Sequence, residues 1–156
     1  MCCQTARLFR LIWGMMMLEV RELSATYGKH RALDGVSLRV DPGEIVVILE
    51  ANGAGKSTLL KAIGGICVGA VSGHVVIDGH PILAASPDAI VAHGLALVPE
   101  GRGIFGDLSV RENLTLGADA NRARADEAAN LDRVLTLFPR LGERQRQIAR
   151  TMSGGE

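Results

Sequence analysis

The chain has 156 residues, 47% of them hydrophobic, with 17 basic and 17 acidic side chains and a formal net charge of zero. That is enough apolar material for the core of one small domain, and the balanced charge leaves no electrostatic footprint for nucleic acid. Aromatics at 3% argue against base-stacking platforms, and the three cysteines, Cys2, Cys3 and Cys67, make no disulfide framework and fit a reducing cytosol.

Residues 1–16 stand apart. Arg7 and Arg10 precede or interrupt an apolar patch of Leu8, Phe9, Leu11, Ile12 and Trp13, followed by Met15, Met16 and Met17. The patch superficially resembles a signal peptide, but Arg10 breaks the apolar run and no small-x-small cleavage site follows. It is too short to span a membrane. A start codon placed too far upstream, with translation beginning at one of the three methionines, explains it better than a functional anchor.

Leu18 to Thr26 reads as a strand, and Val36, Leu38 and Val40 alternate with Ser37 and Arg39 as in a half-buried strand. Asp41-Pro42-Gly43 is a turn. Glu44 to Leu49 then forms a continuous apolar run of the kind buried in a parallel sheet. A Gly-rich segment and a helix from Leu59 to Ile63 follow, ending near Gly64-Gly65. His74 to Ile77 is a short strand closed by Asp78-Gly79, where Asp78 is best read as a turn residue. Ser86 caps a helix with Pro87 at its first position, and Gly94 ends it. Leu95 to Val98 is a second buried strand, halted by Pro99.

From Ser109 the pattern is helical. Ser109-Val110-Arg111-Glu112 is a capping box. Ala118 to Ala129 is rich in alanine and charge. Leu131, Val134, Leu135, Phe138 and Leu141 form an apolar helical stripe that Pro139 terminates or kinks. The late arginines Arg133, Arg140, Arg144, Arg146 and Arg150 alternate with acids and glutamines, as on a solvated helix face. His30, His74, His80 and His93 are scattered at no ligand spacing and read as surface or turn residues.

The segment with chemistry in it is Asn52-Gly53-Ala54-Gly55-Lys56-Ser57-Thr58. Strand, Gly-rich turn, Lys-Ser/Thr and helix is the order a phosphate-binding loop requires. Glycines let backbone N–H groups converge on phosphate oxygens, and the helix N-terminus adds donors and a positive dipole end. Lys56 can reach the terminal phosphates and Ser57 can offer its hydroxyl to Mg²⁺. The full pattern wants glycine six residues before Lys56, where this chain has Glu50 followed by Ala51. A carboxylate there opposes phosphate. No apolar strand after the loop ends in the acidic residue that such enzymes use to hold Mg²⁺ through water.

Together these elements resemble the ATP-binding subunit of ABC transporters, from about Met17 to Glu156. The resemblance implies an α/β phosphate-loop ATPase core (17–103) with an antiparallel β portion, and a helical subdomain (104–156). Tyr27 matches the aromatic that stacks on adenine, and Asn52 to Thr58 the phosphate loop. Ser153-Gly154-Gly155-Glu156 matches the signature that contacts the partner subunit's nucleotide in a head-to-tail dimer. The stretch Val98-Pro99-Glu100-Gly101-Arg102, continued through Ile104-Phe105 and Leu108 to Leu114, looks like the branched-chain amino-acid importer subgroup. Glu100 there stands in place of the Q-loop glutamine. Tyr27-Gly28-Lys29 and Ala32 to Leu38 fit the same subgroup, and urea-uptake relatives are also similar. The family continues beyond the signature with its Walker B strand and catalytic glutamate, so the resemblance implies a chain lacking its C-terminal part.

The implied function is an ATP-binding subunit, using ATP and Mg²⁺, that energises branched-chain amino-acid import. It would sit peripherally on the cytoplasmic face of the membrane with a second ATP-binding subunit and a permease. The alternative is a non-catalytic fragment that binds nucleotide or competes for those partners. Without an acid for Mg²⁺ or a base for water, no catalytic residue is assigned and the 156 residues alone are expected not to hydrolyse ATP. A nucleotide kinase would share the phosphate loop but not the Ser-Gly-Gly-Glu ending or the Val-Pro-Glu-Gly-Arg stretch.

Overall fold

The structure, a computed structural model, describes residues 16–49, 55–101, 103–118, 124 and 126–153. The chain divides into two compact units, Met1–Leu97 and Val98–Glu156.

The first unit is built on an antiparallel sheet. β1 (Leu18–Tyr27) lies between β2 (His30–Val40) and β3 (Ala70–Ile77), and a short β4 (His80–Pro81) pairs with β3, giving the order β2-β1-β3-β4. Strict alternation along β1 would bury even-numbered residues throughout. Instead Val20, Leu23 and Ala25 are buried. The cause is a bulge: Val20 opposes Leu38 and Leu23 opposes Val36, so β1 carries an extra residue there. Glu22 takes φ 49° at this point, and its N–H donates to the Ser37 hydroxyl at 2.9 Å. One inserted residue moves every later side chain to the other face.

α1 (Lys56–Ile63) packs on β1 and β2 through Leu59, Ala62 and Ile63. These join Val20, Leu23, Ala25, Leu33, Val75, Ile77, Ile82 and Ile90 in one core, Ile90 coming from α2 (Pro87–Ala92). Removing a side chain such as Leu23 fully from water stabilises the fold by about 1.5–3 kcal/mol. Asp78 has the turn role read from the sequence. At φ 48° it closes the β3–β4 hairpin, its N–H donates to the Met17 carbonyl and its Oδ1 accepts from the Met17 N–H at 2.7 Å.

Two expected strands are corrected. Residues 44–49 form no strand and are exposed, Val47 at 71% and Leu49 at 88%. Residues 95–98 form no strand either; Leu95 packs on the core but Val98 is 84% exposed. A buried parallel strand needs neighbours on both sides for its N–H and C=O groups. Among the described residues every pairing between strands is antiparallel, and none involves these two runs. The helix read from Leu59 starts three residues earlier, at Lys56, and two strand boundaries also move. β2 starts at His30 rather than Val36, and β3 at Ala70 rather than His74, because pairing with the central β1 extends both beyond their own alternating patterns.

The second unit is helical. α3 (Val110–Leu116) opens on the expected capping box: the Glu112 N–H donates to Ser109 Oγ, and Glu112 Oε2 accepts from the Ser109 N–H at 2.7 Å. The Ser109 hydroxyl also donates to that carboxylate at 2.6 Å, and these bonds hold the Glu112 carboxyl below the usual glutamate range. Asn113 ties the preceding loop down, its side chain accepting from the Phe105 N–H and donating to the Phe105 carbonyl. The segment 145–150 runs back along the start of α3, with the Val110 N–H donating to the Gln147 carbonyl and the Ala149 N–H to that of Leu108. Val110, Ala149 and Met152 are buried here.

α4 (Glu127–Leu137) lies against α3 and is followed by α5 (Pro139–Glu143). Phe138 leaves helical geometry at φ −126°, ψ 74°, as the residue before a proline must. The stripe of Leu131, Val134, Leu135 and Leu141 is half-buried and Phe138 is exposed, so these residues form a contact face rather than a closed core. No helix among the described residues is long and apolar enough to cross a membrane.

Candidate nucleotide-binding site

The phosphate-loop residues that the structure describes are Gly55, Lys56, Ser57 and Thr58. Glu50, Ala51, Asn52, Gly53 and Ala54 lie outside the described residues. Gly55 is the N-cap of α1 in a left-handed conformation, φ 100°. A Cβ at this position would meet the Ala32 carbonyl oxygen at 2.5 Å and Leu33 Cδ2 at 2.9 Å. Gly55 is therefore required twice, by its backbone sign and by the close approach of β2. The second reason has no trace in the local motif.

The intrahelical ladder begins with the Leu59 N–H donating to the Gly55 carbonyl at 2.8 Å. The ladder thus leaves the amides of Lys56, Ser57 and Thr58 to other acceptors. No acidic residue stands in the first turn of α1, and all three side chains are half-buried. This donor set fits a phosphate group: backbone N–H groups at a helix start, one ammonium and two hydroxyls. Ser57 supplies a hard oxygen of the kind Mg²⁺ takes.

Tyr27 ends β1 in the same unit, on a strand that packs against α1. It is half-buried, and its hydroxyl is 3.4 Å from the Cys67 sulfur. The partnership joins residues 40 apart in sequence, and no pattern around Cys67 signals it. Glu100 and Ser153 belong to the second unit and both are exposed. Gly154, Gly155 and Glu156 lie outside the described residues. The four histidines are exposed. The fold does bring His80 and His93 together, their rings stacked with centroids 5.3 Å apart, a proximity that their spacing in the chain does not suggest.

The family model described as ABC transporter matches residues 33–156. The chain belongs to the ABC transporter family. It is 45% identical over 140 residues to the high-affinity branched-chain amino acid transport ATP-binding protein BraG of Pseudomonas aeruginosa, covering 90% of this chain and 59% of that protein. It is 38% identical over 128 residues to the ribose import ATP-binding protein RbsA 1 of Streptomyces coelicolor, covering 81% of this chain and 25% of that one. Among solved structures, an ATP-binding subunit of an ABC transporter superposes with a TM-score of 0.76 at 34% identity, covering 89% of this chain and 57% of the other. A nucleotide-free ATP-binding cassette from an ABC transporter superposes with a TM-score of 0.73 at 25% identity, covering 90% and 60%. The fold is thus that of ABC ATPase cassettes, α/β with an antiparallel sheet and a helical portion. The chain spans a little under two thirds of the length of BraG and of both solved cassettes, and a quarter of RbsA 1.

Proposed function

We propose that this chain is the ATP-binding part of an importer, taking the triphosphate of ATP with Mg²⁺ at the N-terminus of α1 and the base at Tyr27. The observation that carries the proposal is the start of α1. A left-handed Gly55 seated on β2 begins a helix whose first turn holds Lys56, Ser57 and Thr58 and no acid. Lys56 is the side-chain cation for the terminal phosphates, and Ser57 the hydroxyl for the metal. When bound, Mg²⁺ offsets phosphate charge. Glu100, Ser153, Gly154, Gly155 and Glu156 take the roles that the family resemblance implies, Glu100 as the Q-loop residue and the others on the nucleotide of a second ATP-binding subunit.

Binding rather than turnover is the activity proposed for these 156 residues. The acid that follows the apolar run Val75-Val76-Ile77 is Asp78, and its carboxylate is engaged with the Met17 amide in the hairpin turn. Branched-chain amino acids are the proposed cargo. The supporting observation is the 45% identity to a relative named for their transport, against 38% to one named for ribose import. The proposed partners are a second ATP-binding subunit and a membrane permease, with the chain held peripherally at the cytoplasmic face.

Titration calorimetry tests the site. Lys56→Ala should abolish ATP binding, and Glu50→Gly should tighten it. A carboxylate about 6 Å from a phosphate charge opposes binding by up to roughly 2–3 kcal/mol at an effective dielectric near 20. A Lys56→Ala chain that binds ATP as the parent does would refute the assignment. For the cargo, loss of leucine uptake with intact ribose uptake on deletion of the gene is expected; the reverse pattern overturns the branched-chain reading.

A further inference from the structure

The hydrogen bond between Tyr27 and Cys67 is not part of the phosphate site, yet it fixes the aromatic ring that the function proposed above assigns to the base. The tyrosine hydroxyl and the Cys67 thiol are 3.4 Å apart and partly buried. Two residues further on, Gly69 lies beside the same ring, where a side chain would not fit. A Cβ on Gly69 would come within 2.4 Å of the Thr26 carbonyl oxygen and 3.2 Å of Tyr27 Cδ1. Only a bare backbone lets this segment lie so close to the end of β1. The ring is therefore held at its hydroxyl by Cys67, and the missing side chain at Gly69 leaves room for its edge.

The segment that holds it is the exit of α1. The Gly64 N–H donates to the Leu60 carbonyl and the Ile66 N–H to that of Lys61, so the chain leaves the helix in a fixed turn just before Cys67. Thr26 then pairs with Ala70 as β3 begins. The phosphate end of the site opens α1, and the residue that restrains Tyr27 follows its other end.

We propose that Cys67 is a positioning residue for base recognition: its hydrogen bond with Tyr27 sets the plane on which the base of a nucleoside triphosphate stacks. The inference rests on the reading of Tyr27 as the base-stacking aromatic. Cys67 touches the nucleotide nowhere in this scheme. Its effect passes through Tyr27, which makes the affinity for the base sensitive to the thiol while the affinity for the polyphosphate is not. A side-chain hydrogen bond of this kind has a modest net strength and sulfur is a weak partner, so its loss should weaken ATP binding about 3- to 5-fold.

The test uses the full chain with Cys67→Val, Cys67→Ser, Tyr27→Phe and Tyr27→Ala, titrated by calorimetry with ATP and, separately, with inorganic tripolyphosphate. Tyr27 is the sole tyrosine, so ultraviolet resonance Raman reads the hydrogen-bonding state of its hydroxyl directly. Cys67→Val and Tyr27→Phe are each expected to weaken ATP about 3- to 5-fold, with the double variant no worse than either. Cys67→Ser, which keeps a hydrogen-bonding group, should restore both the affinity and the Raman signature. Tripolyphosphate binding should stay constant throughout.

If Tyr27→Ala weakens ATP but Cys67→Val and Tyr27→Phe do not, the positioning role is overturned while the base-stacking reading stands. Equal losses of ATP and tripolyphosphate in Cys67→Val would show a general structural effect and also overturn it. If Tyr27→Ala binds ATP like the parent, or the parent binds no ATP, the reading of Tyr27 fails and the proposal fails with it.

Discussion

Gly55→Ala is the most direct probe of how the sheet places the start of α1. An L residue at φ 100° carries a penalty of roughly 1–2 kcal/mol, as left-handed backbone does in general. The new Cβ would also stand 2.5 Å from the Ala32 carbonyl oxygen and 2.9 Å from Leu33 Cδ2. Contacts this short force backbone to move, which typically costs about 1–3 kcal/mol. The combined loss is then about 2–5 kcal/mol, a large share of the roughly 5–15 kcal/mol of a typical domain.

The two terms separate with a control. Gly79 also has a positive φ, 82°, but a Cβ there meets nothing within 4 Å. Gly79→Ala should lose only the backbone term. Urea unfolding of both variants beside the parent measures the difference. With a slope near 2 kcal/mol/M, Gly55→Ala should lower the midpoint by about 1–2.5 M, and Gly79→Ala by about 0.5–1 M. Equal shifts in the two variants would mean that Gly55 does not sit on Ala32 and Leu33, and the close approach of β2 to the phosphate end of α1 would be refuted.

Other substitutions test the core, the exposed runs and the cap. Leu23→Ala, at a fully buried site, should cost about 2–5 kcal/mol, whereas Val47→Lys, at a 71% exposed site, should stay within about 0.5 kcal/mol of the parent; reversed magnitudes in urea titrations would return residues 45–49 to the buried class. Glu112→Ala should lower stability at neutral pH. Because Ser109 holds the Glu112 carboxyl below the usual glutamate range, the contribution of its charge is complete above that range and fades as pH falls through the lowered value. The gap between parent and variant should therefore narrow in acid, and a gap of constant size from neutral to strongly acidic pH would contradict the cap's electrostatic role. Steady-state phosphate release by the parent that Lys56→Ala abolishes would overturn the proposal that these residues bind ATP without turning it over.

What could be read from the sequence, and what could not, divides along a physical line. Features set by neighbours in the chain are visible in it: the Ser109–Glu112 capping box, the Pro139 break, the Asp78-Gly79 turn and the Gly-Lys-Ser-Thr start of α1 each depend on contacts a few residues long. The bulge at Glu22 was not legible, because it answers to the register between β1 and β2, and β1 reads from its own pattern as an uninterrupted strand. The Tyr27–Cys67 pair and the seating of Gly55 on Ala32 are contacts between elements, and no periodicity encodes them.

Residues 45–49 show the same line from the other side. Ile45-Val46-Val47-Ile48-Leu49 states an apolar preference as strongly as any segment here, and hydrophobic pattern is the main local signal of a strand. A pattern expresses what a segment gains by burial, and burial requires a second surface. Each N–H and C=O of a strand also needs a partner on the next one. Among the described residues that surface and those partners are not provided, and the segment lies exposed and unpaired. Strand propensity is in this sense conditional on the rest of the sheet, whereas the start of α1 keeps its form with Gly55 seated on β2, a strand that is present among the described residues. The start of α1 thus sits on a surface that the described residues do provide, the β2 backbone at Ala32 and Leu33.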